Sequence, residues 1–147
     1  MSVNQGAGVG VYYDQVGTPL YWSPEQHEGR PYKGQKCDIF AVAIILFLMA
    51  TGHKPFLNSA SKDDPIYGHL ANHDSEAYWK TWSDFTGINP HQSLSREFIQ
   101  LMESMLAYNY FERPSSNELL EKCEWVKSHS GVVEQMMKRH NYIFNTL

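Results

Sequence analysis

Cysteine is scarce in this chain, and it lacks an export signal. Its two cysteines, Cys37 and Cys123, allow at most one disulfide bond. The N-terminus has neither the basic start nor the apolar stretch of a secretory signal peptide. Because disulfide-stabilised folds belong mainly to oxidising compartments, the sequence predicts a reduced, intracellular and cytoplasmic protein whose thiols are small core residues.

A basic surface is lacking as well. The 147 residues carry 12 Lys and Arg against 16 Asp and Glu, a formal net charge of -4 with pI near 5.9. Proteins that hold a phosphate backbone or an anionic membrane need clustered positive charge. The composition therefore predicts no nucleic acid and no membrane as partner. A hydrophobic content of 42% and an aromatic content of 14% suffice for one compact domain.

Two features that resemble ligand sites do not meet the requirements of those sites. The third glycine of Gly6-Ala7-Gly8-Val9-Gly10 comes one place early for G-x-G-x-x-G, and no strand precedes it. We interpret residues 1–16 as a flexible leader. His69 and His73 have helical spacing for a shared metal, but neither a third ligand nor the zinc-protease glutamate accompanies them. Histidines on a helix surface are the favoured interpretation.

One apolar run dominates the chain. Every residue from Ile39 to Ala50 is apolar, so a helix made from this run has no face suited to water. The run is shorter than the roughly 20 residues of a membrane span. The sequence therefore predicts a buried central helix over about 38–51, with Asp38 at its N-terminal end and Gly52 ending it in a left-handed conformation.

Capping residues and apolar spacing predict the other helices, and no stretch favours a strand. Helix starts are predicted at Ser23-Pro24, Asp64-Pro65, Ser95 and Ser115, and a last helix from about Gly131. Two apolar groups are predicted to face the core, namely Tyr78, Trp79 and Trp82, and Phe98, Leu101, Met102 and Met105. The predicted fold class is all-α.

Three stretches, in this order, resemble signatures of the C-terminal lobe of eukaryotic-type Ser/Thr protein kinases. Residues 17–25, GTPLYWSPE, are similar to G-T-x-x-Y-x-A-P-E, which ends the activation segment. Residues 38–56 are similar to D-x-W-S-x-G followed by T-G-x-x-P-F, with Phe and Ala in place of Trp and Gly. Residues 109–115, NYFERPS, are similar to D-P-x-x-R-P-T, although the first two positions differ. Three ordered matches disfavour an accidental likeness to an unrelated helical bundle.

The resemblance implies roles for six residues. Gly17, Thr18 and Tyr21 match a loop that docks protein substrate, Asp38 matches the carboxylate that anchors the catalytic loop, and Glu25 and Arg113 match a buried ion pair. A bidentate guanidinium–carboxylate contact suits that pair chemically. The alternative for the pair is two separate surface charges.

The resemblance also implies an incomplete kinase. Residues 17–128 are expected to be part of the domain without its N-terminal lobe; the motifs do not cover residues 129–147, for which the apolar spacing predicts a C-terminal helical extension. The chain contains no V-A-I-K lysine, no H-R-D-x-x-x-x-N and no D-F-G, the motifs that hold ATP and Mg²⁺ in the family. We therefore expect no catalytic residue, no metal site and no cofactor bound by this chain alone, and ATP and Mg²⁺ for the complete domain.

Two functions remain open at this point. The first is a fragment of a Ser/Thr protein kinase whose partners are a protein substrate or the missing half of the kinase. The alternative is a non-catalytic, pseudokinase-like interaction module. With the preceding part of the domain lacking, one side of Ile39 to Ala50 is expected to be exposed.

Overall fold

The structure, a computed structural model, describes residues 11–12, 18–122 and 125. Most of the proposed leader, Gly17 and the proposed extension 129–147, with the helix expected from about Gly131, lie outside these residues. Within them the fold is helical, and the all-α prediction is confirmed. The helices are α1 (Pro24–His27), α2 (Gly34–Thr51), α3 (Tyr67–Ala71), α4 (Ser75–Thr86), α5 (Pro90–Ser93), α6 (Arg96–Met105) and α7 (Ser116–Lys122).

Short elements that the sequence did not reveal join these helices. Two-residue strands β1 (Val11–Tyr12) and β2 (Tyr32–Lys33) pair antiparallel, with Tyr12 opposite Tyr32. Single 3-10 turns span Pro19–Tyr21 and Tyr110–Glu112. A two-residue strand is too short to show alternation of apolar and polar residues, which explains why the sequence pattern contains no sign of it.

The central helix is longer than predicted. α2 begins at Gly34, so Asp38 lies in its second turn and not at its N-terminal end, which corrects the predicted start. The predicted helix began at Asp38, directly before the apolar run. Residues 34–37, which precede Asp38, are helical too. Gly52 ends α2 with φ 75°, as predicted. By length and composition α2 would also suit a membrane span, but half of it is buried against other elements.

Aromatic rings and the apolar face of α6 cover α2. Phe47 stacks on Trp79 at 5.9 Å between ring centroids and meets Trp82 edge-on at 5.4 Å. Phe40 meets Tyr67 edge-on at 6.0 Å. The two predicted apolar groups are buried in this core, as Tyr78, Trp79, Trp82, Phe98, Leu101, Met102 and Met105. Large rings that pack edge-on bury much area in a small domain, so this cluster contributes to its apolar stabilisation.

Exposure of the apolar run is confined to the C-terminal end of α2. Residues 39–44 are buried, Ile45 and Leu48 are half-buried, and Met49 is 68% exposed. The expected exposed side is thus shorter than the sequence indicated, because α6, the two 3-10 turns and β2 all contact α2.

The predicted caps are present, with one helix displaced. Ser95 Oγ accepts a hydrogen bond from Phe98 N at 3.1 Å, and Ser115 and Glu118 form a reciprocal capping box. α3 starts at Tyr67 and not at Asp64-Pro65. The reason is that the Asp64 carboxylate also accepts backbone hydrogen bonds from the preceding loop, which holds this stretch in turns.

Candidate functional site

The loop that the resemblance assigns to substrate docking is a tight, supported turn. Tyr21 N donates to Thr18 O at 2.9 Å, which closes the 3-10 turn over Pro19–Tyr21. Thr18 is exposed, whereas the Tyr21 ring is half-buried and packs against the core. Gly17 lies outside the described residues. The loop therefore presents an exposed threonine on a backbone that the core supports.

Buried polar contacts fix the residues that follow this loop. Ser23 is the N-cap residue of α1, and its backbone N–H and hydroxyl both donate to Gln26 Oε1, at 3.0 and 3.2 Å. Its Oγ also lies 3.1 Å from Cys37 Sγ on α2. Ser23 stands where the family motif has Ala, and the structure accommodates the added hydroxyl because both of these neighbours are polar.

Glu25 and Arg113 form a fully buried ion pair. Arg113 Nη1 donates to Glu25 Oε2 and Nη2 donates to Oε1, both at 2.8 Å, and neither side chain is exposed. The structure thus brings these two predicted residues together and excludes two separate surface charges. The guanidinium carbon also lies 4.8 Å from the centre of the Phe40 ring on α2.

Backbone carbonyls complete the coordination of the guanidinium. Arg113 Nε donates to Ala107 O at 2.8 Å, Nη1 to Lys36 O at 3.2 Å and Nη2 to Tyr108 O at 3.3 Å. With the two contacts to Glu25, all five N–H groups of the guanidinium have an acceptor. In return, Lys36 Nζ donates to Arg113 O. A buried charge that is paired and fully hydrogen-bonded avoids most of its desolvation penalty.

The electrostatics of the site follow from this pairing. Burial alone would raise the pKa of Glu25, but the hydrogen bonds and the positive charge of Arg113 outweigh it and lower the pKa below its usual value. The neighbouring Cys37 thiol has its pKa raised by burial and by the Glu25 charge. The carboxylate is therefore ionised and the thiol protonated at neutral pH.

A second, more exposed set of contacts ties α1 to the segment before Arg113. Tyr108 Oη donates to Glu28 Oε2 at 2.6 Å, and Arg30 Nε donates to the other Glu28 oxygen. The Arg30 guanidinium also lies 5.5 Å from the centre of the Tyr108 ring. The turn Pro19–Tyr21 is thus attached, through α1, to a segment that lies far away in the sequence.

The role that the resemblance implies for Asp38, anchoring the catalytic loop, stays a prediction. It is half-buried in the second turn of α2, one residue after the buried Cys37. The segment that it would anchor in the family has no counterpart in this sequence.

Sequence reasoning missed the main role of Asp64. Its buried carboxylate accepts hydrogen bonds from five backbone N–H groups, those of Leu57, Asn58, Ser59, Ile66 and Tyr67. Burial raises the pKa of Asp64, but these hydrogen bonds outweigh it and lower the pKa. The Asp64-Pro65 pair signals a helix cap, yet nothing in the sequence marks the return contacts to residues 57–59.

Candidate metal ligands are not clustered in the part of the chain that the structure describes. Among residues 11–12, 18–122 and 125, no group of three His, Cys, Asp or Glu side chains could hold a metal ion. His73 instead places Nε2 3.2 Å from Glu112 Oε1 at the surface. No step involving Mg²⁺ or ATP is derived from these side chains.

Comparisons with known proteins identify the family. The profile of the family described as "Protein kinase domain" matches residues 2–126. The chain is similar to serine/threonine-protein kinase 40 of Xenopus tropicalis, with 42% identity over 108 residues, which are 74% of this chain and 21% of that protein. The proteins of the same name from Homo sapiens and Gallus gallus are 42% identical over 50 residues, 34% of this chain and 12% of each. The chain thus spans about a fifth of such relatives or less.

Proposed function

Since the chain belongs to the protein kinase domain family, we propose that it is the C-terminal-lobe part of a Ser/Thr protein kinase that docks protein substrate. In this proposal the whole protein phosphorylates proteins with ATP and Mg²⁺. The present chain supplies the docking loop at Thr18 and Tyr21 and the scaffold beneath it. By itself it transfers no phosphate.

The ion pair between Glu25 and Arg113 is the observation that carries this proposal. It fixes the end of the loop to the lobe through a fully buried, bidentate contact. Docking of a flexible peptide costs less when the receiving loop is already ordered. The loop that carries the exposed Thr18 is ordered in this way, because its 3-10 turn directly precedes the buried α1.

The lack of autonomous activity follows from the chemistry of phosphoryl transfer. The reaction needs a lysine on the phosphates, metal-binding carboxylates and a base near the acceptor hydroxyl. None of the corresponding motifs occurs in the 147 residues. Positioning a hydroxyl without neutralising the charge that develops on the phosphate leaves most of the barrier in place.

Two measurements test the two halves of this proposal. The purified chain, incubated with radiolabelled ATP, Mg²⁺ and casein, should transfer no phosphate; transfer that Thr18→Val abolishes would overturn the proposal of inactivity.

In a longer polypeptide that carries H-R-D and D-F-G segments ahead of this chain, Thr18→Val should lower kcat/KM for protein substrate. Thr81→Val, on α4, is the matched control and should leave it unchanged. Equal values for all three proteins would contradict the docking role.

A non-catalytic interaction module is the second candidate function. The exposure of four large apolar side chains among the described residues favours it, namely Met49, Phe85, Phe111 and Leu120, of which Phe111 is the most exposed at 70%. The two candidates differ in the coding sequence that precedes Met1. Upstream H-R-D and D-F-G motifs in the same reading frame support the kinase fragment, and their replacement by unrelated sequence supports the module.

A further inference from the structure

A ring nitrogen at the end of α1 is buried without a hydrogen-bond partner. His27 is the last residue of this helix, and its side chain is half-buried. Nε2 of the ring is cut off from solvent, and no atom of the described residues forms a hydrogen bond with it. Because most buried polar atoms in folded proteins are paired, this exception needs a physical explanation.

The ring of His27 lies against the residue that ends the turn Pro19–Tyr21. Its centroid is 5.2 Å from that of the Trp22 ring, with 56° between the two planes. Trp22 follows the turn directly, and its backbone N–H donates to Pro19 O at 3.2 Å. The contact therefore holds the C-terminal end of α1 against the end of the turn.

The surroundings of His27 favour an uncharged ring. Burial lowers its pKa below the ordinary 6.5, and the negative charge of Glu28 offsets only part of this effect. Among the described residues, Glu28 is the one charged group whose field acts on the ring, and its carboxylate is engaged by Tyr108 and Arg30. Trp22, the neighbour from the other element, does not titrate. His27 is thus neutral at pH 7.

Protonation of His27 places a charged donor where it has no acceptor. Both nitrogens of an imidazolium carry a hydrogen, so the buried Nε2 becomes a cationic N–H without a partner. A ring that turns out to water avoids this cost and regains the ordinary pKa of 6.5. The exposed arrangement therefore binds the proton more tightly than the buried one. Between 6.5 and the lower pKa of the buried ring, each pH unit favours the exposed arrangement by up to about tenfold.

We propose that His27 forms a proton-sensitive contact: when it takes up a proton, its ring leaves Trp22 and the end of α1 separates from the turn Pro19–Tyr21. The Glu25–Arg113 ion pair stays ionised in this pH range, because the pKa of Glu25 lies below 4.5. Opening is thus local and leaves the lobe folded. Its effect on protein substrate rests on the function proposed above, whereas the opening itself does not.

Nuclear magnetic resonance of the unchanged chain measures both sides of the contact. On acidification from pH 7, the ring of His27 should titrate with a midpoint below 6.5, and the indole N–H of Trp22 should shift with the same midpoint. The indole N–H of Trp79 donates to Glu103 and serves as the reference that should not follow this midpoint. A midpoint of 6.5 or higher for His27, or a Trp22 signal that does not follow it, would overturn the proposal.

Hydrogen exchange distinguishes opening from titration alone. The amides of Trp22 and His27 donate to backbone carbonyls on the two sides of the contact, those of Pro19 and Ser23. After correction for the pH dependence of chemical exchange, their opening constants should rise by up to about tenfold from pH 6.5 to 5.5. The opening constant of Ile44, in the buried part of α2, should stay unchanged. Equal opening constants for Trp22 and His27 at both pH values would contradict the proposal.

Two uncharged replacements of His27 supply the matched variants. His27→Phe keeps a ring beside Trp22 and His27→Gln does not, but neither takes up a proton, so both should lose the pH dependence of opening. His53→Gln is the control, because the exposed His53 also lies beside a tryptophan, Trp82, at 6.3 Å. It should leave the dependence intact. Retention of the dependence in either His27 variant would assign it to another group, and the proposal would be wrong. These measurements involve no substrate and no phosphate, so their outcome is independent of docking.

Discussion

Glu25 and Arg113 stand 88 positions apart in the sequence, yet their side chains meet through two parallel hydrogen bonds of 2.8 Å inside the core. The contact joins α1 and the turn Pro19–Tyr21 before it to the segment that precedes α7. The guanidinium also binds the carbonyls of Lys36 and Ala107, so one side chain connects three parts of the chain. The loop and the lobe are therefore expected to lose their order together.

Removing the carboxylate should destabilise the fold strongly. Glu25→Gln leaves the Arg113 charge buried without its counterion, at an expected cost of about 3 to 5 kcal/mol in the free energy of unfolding. Urea denaturation followed by circular dichroism measures this loss. The exposed first-turn Glu76→Gln serves as control and should cost less than about 0.5 kcal/mol.

A double-mutant cycle separates the pair from its surroundings. Arg113→Met alone should also destabilise, because it strands the Glu25 carboxylate, but the double variant should lose less than the sum of the two single losses. Purely additive losses would mean that the two charges are not coupled.

Acid should weaken the fold through the same carboxylate. The pKa of Glu25 in the folded chain is lower than its ordinary value of 4.5, so its contribution is complete above pH 4.5 and is lost as the pH falls through the lower, folded value. Asp64 adds to the effect in the same direction, below its ordinary 3.8. Urea midpoints measured from pH 7 downward should therefore fall on acidification. Glu25→Gln should make this dependence shallower, and an unchanged slope would contradict the lowered pKa.

The loop ahead of α3 should depend on a single carboxylate. Asp64→Asn exchanges one acceptor oxygen for a donor beside five backbone N–H groups, so at least one of them loses its partner. We expect a loss of about 2 kcal/mol or more in the free energy of unfolding. The adjacent Asp63 is exposed and Asp63→Asn should be nearly neutral. Faster hydrogen exchange at Leu57 and Asn58 in Asp64→Asn alone would locate the effect, and equal stability of the two variants would refute it.

The parts of the fold that depend on local signals could be predicted from the sequence. The unbroken apolar run indicated the buried helix α2, and the caps at Ser95 and Ser115 lie where side-chain chemistry placed them. The Glu25–Arg113 pair became a hypothesis only through the resemblance, since spacing alone does not relate residues so far apart. The sequence predicted only a helix-capping role for Asp64. Its contacts to residues 57–59 could not be predicted, because they run backward through a loop without a regular pattern.

Cys37 should report on opening of the ion-pair site. Its Sγ lies 3.5 Å from Glu25 Oε2, the side chain is buried, and burial raises the pKa of the thiol. Because the thiolate is the reactive form, iodoacetamide should alkylate the folded chain slowly in a Cys123→Ser background, where Cys37 is the remaining thiol. If alkylation follows opening, Glu25→Gln should accelerate the reaction between about a hundredfold and several thousandfold, since the expected loss is about 3 to 5 kcal/mol and about 1.4 kcal/mol corresponds to a factor of ten.

The alkylation rate of Cys37 in unfolded protein is the reference for this prediction. The rate in concentrated urea sets the limit for an exposed thiol, and Glu76→Gln in the same background should react as slowly as the parent chain. If the native chain already reacts at the urea rate, the cysteine is accessible without opening. Protection that persists in Glu25→Gln, despite a measured loss of stability, would show that α1 and α2 stay closed without the ion pair. The first result would contradict the burial of Cys37, and the second would contradict the role of Glu25 as the contact that holds α1 to α2.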